Sequence, residues 1–314
     1  MKKFIGKMVL FCLIISSILY FLDYTVTKGL KKTHFHTFNN LNKTFNGEIN
    51  SDLIINGSSI AKYQISPSII DSVLNVNSYN FGMIGVDFAP EKLQYDLYVK
   101  HNKPPKTVIQ MVGDLTLFKN EELLGFPQFA PYLDNEKIKA VTQKYKGFTF
   151  LDYHIPFIRY IGRPFDIIDG FFSFLGLELR KPTGYKGYFE QDRKWDNSFD
   201  RFTETYKNGQ FIKMDHELMT LFEDHIIECK KNKINMFLVY PPTYYEYNKY
   251  IKNQNDIILY YTRLSKKYQI PFLDYSSNYI VNSTEYFCSS QHLNKKGAEL
   301  FTKILAQDIK KLTN

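Results

Sequence analysis

At 314 residues, 44% of them hydrophobic and 17% aromatic, the chain has room for one large α/β domain or two small ones, with apolar side chains enough for a sizeable core. Its net charge of +8 does not point to nucleic acid, because six lysines and one aspartate in the first 32 residues carry five of those charges. Three cysteines without a CxxC exclude a disulfide framework, leaving either one Cys229–Cys288 bridge or a free buried pair.

The N-terminus comes first in chain order. Lys2, Lys3 and Lys7 precede an apolar run over residues 8–21 that Asp23 ends, and between residues 4 and 22 only Lys7 is charged. The stretch from residue 4 to residue 22 is long enough to cross a bilayer, with the Lys7 stem able to snorkel to the interface, and no small-x-small cleavage site follows it; Tyr20-Phe21-Leu22 is bulky. Residues 1–24 are therefore read as an uncleaved signal anchor in the cell membrane. Phe11 before Cys12 stands where a lipoprotein signal needs a small residue, which excludes lipidation there. Positive charge ahead of the span predicts a cytoplasmic N-terminus and an extracytoplasmic domain. Residues 25–50 are polar and read as a stalk; His34-x-His36 has no third ligand at useful spacing.

From residue 51 onward strand and helix signals alternate, as in a parallel sheet with crossover helices. Strands are predicted over 53–56, 78–81, 107–112, 234–240 and 270–275. Helices are predicted over 67–74, with Ser66 as N-cap and Pro67 at the first helical position, and over 90–100. Further helices are expected at 214–230, 245–268 and 294–311. Between about 115 and 208 the pattern loosens, with one helix at 135–145, apolar stretches at 155–161 and 167–177, and a turn at 184–188. A stretch of that length is an insertion or a lid. Its aromatic side chains (Phe171, Phe172, Phe174, Tyr185, Tyr188, Phe189) suit a substrate cap, a membrane-facing patch or plain core.

Two short segments near the two ends of this pattern carry chemistry. Asp52-Leu-Ile-Ile-Asn-Gly57-Ser58-Ser59 reads as a buried strand ending in a sharp turn, and Gln291-His292-Leu293-Asn294-Lys-Lys-Gly297-Ala298 brings a histidine just ahead of the last helix. Acyl transfer needs an exposed hydroxyl at a strand's carboxyl end and a base within hydrogen-bond reach of it. No Walker loop or GxGxxG follows a strand, and His216 and His225, nine residues apart on one helix, would face opposite ways. No cofactor and no metal are expected.

The two segments resemble the SGNH/GDSL hydrolase superfamily, in particular its membrane-anchored bacterial branch with Gly-Ser-Ser at the nucleophile and His-Leu-Asn-x-x-Gly-Ala at the histidine. The resemblance covers residues 52 to about 311, its middle third loosely. It implies a three-layer, flavodoxin-like α/β domain, with the site at the carboxyl ends of the strands. It also implies serine esterase or O-acyltransferase chemistry on an acylated glycan or cell-envelope polymer. Ser59 would be the nucleophile, with Ser58 one residue away as the alternative, and His292 the base. Ser59 and Gly85, the latter in Asn80-x-Gly82-x-x-Gly85, would be the oxyanion donors. A multi-spanning acyl-donor partner is expected by analogy with polymer-acylating systems of this architecture.

Two positions depart from the pattern. Where the family offers an oxyanion-binding Asn, this chain has Val112-Gly113-Asp114, and an ionised carboxylate cannot donate. Where the family has Asp-x-x-His, Ser289 stands three residues before His292. Three outcomes stay open at this point. The chain runs on a Ser–His dyad with Ser289 in support; or Asp87, Asp114 or Asp274 reaches His292; or the domain is a non-catalytic module that binds an envelope glycan or assembly partner.

Overall fold

The computed structural model describes residues 1–180, 183–196 and 198–313. In chain order the helices and strands are α1 (Lys2–Leu30), α2 (His36–Phe45), β1 (Leu53–Asn56), α3 (Ser59–Gln64), α4 (Pro67–Leu74), β2 (Ser78–Asn80), α5 (Phe88–His101) and β3 (Thr107–Met111). There follow α6 (Glu136–Thr142), α7 (Phe150–His154), α8 (Pro164–Phe174), α9 (Ser198–Thr205), α10 (His216–Lys231) and β4 (Asn235–Tyr240). The chain ends with α11 (Tyr245–Tyr250), α12 (Gln254–Tyr268), β5 (Phe272–Asp274), β6 (Phe287–Ser289), β7 (His292–Leu293) and α13 (Lys295–Thr313). These elements fall into two compact units, one of residues 1–43 and 121–183, the other of residues 44–120 and 184–314.

The second unit is an α/β domain around a five-stranded parallel sheet in the order β2-β1-β3-β4-β5. Period-2 alternation sends neighbouring side chains of each strand to opposite faces. Val108, Met236 and Leu238 pack with Tyr95 of α5, Phe222 and Ile226 of α10 and Tyr261 of α12. Ile109, Phe237 and Val239 point the other way, to Ile70 of α4 and Phe301, Leu305 and Ile309 of α13, a stripe at every fourth residue. Both faces are covered, so the strands read as continuous apolar runs. Each such side chain taken from water contributes roughly 1.5–3 kcal/mol.

Most predicted elements appear close to their expected limits, and β1 and α4 coincide with them, with Ser66 at the N-cap. The helix expected over 245–268 is broken into α11 and α12. Asn253 accepts from the Ile212 amide (2.9 Å) and donates to the Ile212 carbonyl (2.8 Å), which diverts the chain between them. All three cysteines are free, Cys229 and Cys288 buried.

The first unit corrects the reading of residues 25–50 as a solvated stalk. α1 runs on to Leu30 with Thr25, Val26, Gly29 and Leu30 buried, and α2 buries Phe38 and Leu41 one turn apart. Asn42 donates to the carbonyls of Leu30 and Thr33, both at 2.8 Å, closing the link between the helices. Apolar positions spaced among many asparagines hid this helix. His34 meets Glu178 at 2.6 Å and His36 meets Thr183 at 3.0 Å. Residues 121–183, the greater part of the expected insertion, belong to this unit, and α8 lies along the end of α1.

Candidate active site

In a 2-1-3-4-5 parallel sheet the strand order reverses between β1 and β3, and the crevice outside the carboxyl ends there is the natural site. The chain turns at Gly57 (φ 150°) directly after β1, and Ser59 opens helix α3. Its backbone N–H belongs to the first turn of that helix, where amides have no intrahelical acceptor. The loop after β2 closes against the same turn: the Phe81 amide donates to the Ile55 carbonyl (2.7 Å) and the Met83 amide to the Gly57 carbonyl (3.0 Å).

His292 arrives from the far end of the chain on a short hairpin ahead of α13. β6 and β7 are antiparallel, and Ser289 pairs with His292. This register turns a three-residue spacing into side chains on one ring. Ser59 Oγ lies 2.8 Å from His292 Nε2, and Ser289 Oγ lies 3.1 Å from His292 Nδ1. With the Nδ1–H donated to the Ser289 hydroxyl, the Nε2 lone pair accepts the Ser59 O–H, the arrangement a general base needs. The Tyr63 ring stands edge-on to the imidazole, centroids 5.6 Å apart.

The three candidate carboxyls are engaged elsewhere. Asp87 caps α5, accepting from the amides of Ala89 (3.1 Å) and Asn120 (3.0 Å). Asp274 is exposed and accepts from the Ser276 amide at 2.9 Å. Asp114 accepts the Tyr240 hydroxyl, which in turn receives the Gln254 amide at 3.2 Å. Burial pushes the Asp114 carboxyl up to about 6, with the Tyr240 and Gln254 hydrogen bonds opposing. Burial, and after it the Arg193 guanidinium, push the His292 imidazole down to about 4, with Asp196 opposing. A neutral imidazole at pH 7 is ready to accept a proton but is a weak base.

A cavity of about 70 Å³ opens beside the pair, lined among others by Ser58, Ser59, Asp114, Tyr240, Tyr247 and His292. The structure thus brings Ser59, His292, Ser289 and Asp114 into one neighbourhood. Gly85 lies outside this lining, whereas Gly113 is part of it. Sequence reasoning missed Tyr240, Tyr247 and Gln291, although Tyr240 stands at the carboxyl end of β4 and the same strand-end rule would have found it. Gln291 donates to the Tyr247 hydroxyl, bracing the loop beside His292. Arg193 and Asp196 come from the loosely patterned stretch, and no spacing marked them. Among the described residues no group of three or more His, Cys, Asp or Glu could hold a metal ion.

No family model matches the chain, and no curated protein matches it. Solved structures similar to it include a GDSL-like lipase from Bacteroides thetaiotaomicron, at 12% identity and a TM-score of 0.41, covering 83% of this chain and 88% of that one. Another is AlinE4, an SGNH-hydrolase family esterase, at 12% identity and a TM-score of 0.34, covering 85% of this chain and 98% of that one. Identity and superposition at this level carry no residue role across to this chain.

Proposed function

We propose that the protein is a serine esterase or O-acyltransferase, held in the membrane by α1, that works on an acylated glycan or cell-envelope polymer through a Ser59–His292 dyad. The observation that carries this is the 2.8 Å contact from Ser59 Oγ to His292 Nε2 at the switch point of the sheet. Lysines on the amino side of α1 favour the extracytoplasmic side for the domain.

In this reading Ser59 Oγ attacks the ester carbonyl and its proton passes to Nε2 of His292. The tetrahedral oxyanion is received by the Ser59 N–H, with Gly85 as the second donor taken from the resemblance. Collapse expels the alcohol, which takes the proton from His292 and leaves an acyl group on Ser59. Water, or a sugar hydroxyl in a transferase, then attacks that acyl-enzyme, giving its proton to His292, which returns it to Ser59. Ser289 holds the ring in the tautomer this needs. A transferase would take its acyl group from a multi-spanning donor partner.

A second reading, a non-catalytic module that binds the polymer, is favoured by Ser289 at the acid position and by the depressed His292. A fluorophosphonate probe on the full chain in detergent separates the two. Labelling lost in Ser59→Ala and kept in Ser58→Ala supports the enzyme. Labelling lost only in Ser58→Ala keeps the class and moves the nucleophile. No labelling of the wild type, gained in Ser289→Asp, makes the site a binding cleft.

A further inference from the structure

Helix α8 is amphipathic the wrong way round for a water-soluble fold. At 100° per residue, Phe165, Ile168 and Phe171, with Leu175 at the C-cap, share an arc of about 120°. All four are exposed, Phe165 at 72% and Leu175 at 57%. The opposite arc carries Asp169, Gly170 and Ser173, and these are buried. A soluble helix buries its apolar stripe and exposes its polar one; a helix among lipids does the reverse, packing small residues together. The contact partner here is α1. A Cβ on Gly29 would sit 1.6 Å from the Gly170 carbonyl oxygen, and one on Gly170 would sit 2.7 Å from that of Val26, so the two backbones touch.

α8 meets α1 just beyond its apolar span, at Tyr24, Val26 and Gly29. Asp23, which ends that span, pairs with Arg159 at 2.6 Å and accepts the Phe157 amide at 2.8 Å, fixing the start of this segment at the level where α1 leaves the bilayer. Tyr24 meets Phe174 edge to face, centroids 6.4 Å apart. Aromatic side chains and lysines gather at that depth: Tyr20, Phe21 and Tyr24 are exposed on α1, with Lys28 and Lys32 beyond them. Such belts mark the membrane–water boundary, and the lysines suit anionic headgroups. The two carboxylates of α8 pair with Arg180, so neither charge is left facing lipid unpaired. Eleven residues reach about 16 Å, far short of the roughly 30 Å hydrocarbon core, so α8 cannot cross.

We propose that α8 is a second membrane contact, its Phe165–Ile168–Phe171–Leu175 face lying in the headgroup–acyl boundary of the bilayer that α1 crosses. This rests on the reading of α1 as a membrane span, and it gives the unit that holds α1 and α8 a second lipid contact.

The test uses the full chain in phosphatidylcholine–phosphatidylglycerol vesicles with brominated acyl chains. Phe165→Trp, Phe171→Trp, Ile14→Trp and Tyr279→Trp each add one tryptophan to Trp195, whose emission in the parent chain is subtracted. The expected result is loss of most of the added emission to brominated lipid at positions 165, 171 and 14, and none at 279. Lipid quenching at 14 with quenching of 165 and 171 by aqueous acrylamide alone would leave the anchor standing and overturn the inference. Absence of lipid quenching at 14 would remove the anchor and the inference together. Shielding of 165 and 171 from both quenchers would show protein on this face, a second copy included, and would also overturn it.

Discussion

Ser289 Oγ and His292 Nδ1 lie 3.1 Å apart across a two-strand hairpin in which the two residues pair, so a neutral hydroxyl occupies the ring position opposite Ser59. That hydroxyl can orient the imidazole and select its tautomer. It brings no charge to the imidazolium that forms as Ser59 gives up its proton. Where a triad acid has been neutralised, kcat falls by about 10⁴. Ser289→Asp should therefore raise kcat/KM on p-nitrophenyl acetate by roughly 10²-fold or more, with about 10⁴ as the ceiling. It should also raise the pKa of His292. An unchanged rate, with the imidazole titration moved, would mean that the base does not limit turnover.

The pH profile follows from the depressed imidazole. His292, pushed down to about 4, is neutral above that pH, and the neutral form is the base. The acid limb of kcat/KM should lie near pH 4 in the wild type instead of near 6.5, and should move upward in Ser289→Asp. A wild-type limb at 6.5 would show that the ring is hydrated in solution.

A second histidine governs acid stability. His225 of α10 is fully buried, its ring 4.6 Å from that of Tyr95, and burial, then Lys92, push it down to about 3. Between pH 6.5 and 3 the unfolded chain binds a proton that the folded chain does not. The stability His225 contributes is thus complete above about pH 6.5 and falls with pH, by about 1.4 kcal/mol per unit, to a loss of about 3 kcal/mol by pH 4. His225→Gln should flatten this slope in urea melts taken from pH 7 to 4. His292 adds its own share of the slope, which the variant leaves in place.

Asp114 titrates with the opposite sign. Its carboxyl is pushed up to about 6, so the folded chain holds a proton that the unfolded chain loses, and stability falls as pH rises through 3.8 to 6. Asp114→Asn keeps an acceptor for the Tyr240 hydroxyl and ends that loss. The variant should be more stable at pH 7 by up to about 3 kcal/mol, with the gain gone below about pH 4. Its amide can also turn a donor into the cavity, and one oxyanion donor is worth about 10²–10³ in kcat. Activity should rise tenfold or more by that scale; a gain in stability that persists at pH 4 would refute the titration.

What was legible in the sequence is the sheet, because strands buried on both faces are continuous apolar runs bounded by turn residues, as at Leu53–Asn56. The two reacting side chains were legible for a different reason: Gly57-Ser58-Ser59 and His292 sit at ends of elements, where the fold exposes them. The partners of His292 were harder. Ser289 was legible as a support for the ring only as one of three open outcomes, because the register that brings it to Nδ1 depends on a strand pairing too short to leave a pattern. Arg193 and Asp196 act on the imidazole through space, from a segment with no period. The helical course of residues 25–45 was hidden for an opposite reason. Its apolar positions are few, and Val26 packs within its own unit, against Gly170.

The close approach of α1 and α8 gives a stability prediction of its own. A Cβ on Gly29 would meet the carbonyl oxygen, carbonyl carbon and Phe174 nitrogen of the facing backbone, all within 2.8 Å. Backbone cannot step aside as a side chain can, so the helices must part. Gly29→Ala should cost about 2–3 kcal/mol and expose residues 121–183 to protease. Gly6→Ala, with nothing within 4 Å, is the matched control and should change neither. Equal protease resistance in the two variants would show that this helix pair is open in solution.

A backbone contact of the same kind sits under the nucleophile. Gly82 follows β2, and a Cβ there would lie 2.1 Å from the Lys62 amide nitrogen and 2.4 Å from its Cα. Lys62 is three residues beyond Ser59 on α3, a helix of only six residues. Gly82→Ala must therefore push α3 and carry Ser59 away from His292, lengthening the 2.8 Å contact. Displacement of a reacting group by about 1 Å costs on the order of 10²-fold in rate, beyond an overpacking cost of about 2 kcal/mol in stability. The measurement is fluorophosphonate labelling rate against denaturant midpoint for Gly82→Ala. Labelling that slows only in proportion to the unfolded fraction would mean that α3 absorbs the methyl without moving Ser59. Labelling slowed in a protein still folded would tie the spacing of Gly82 and Ser59 to the geometry of the dyad.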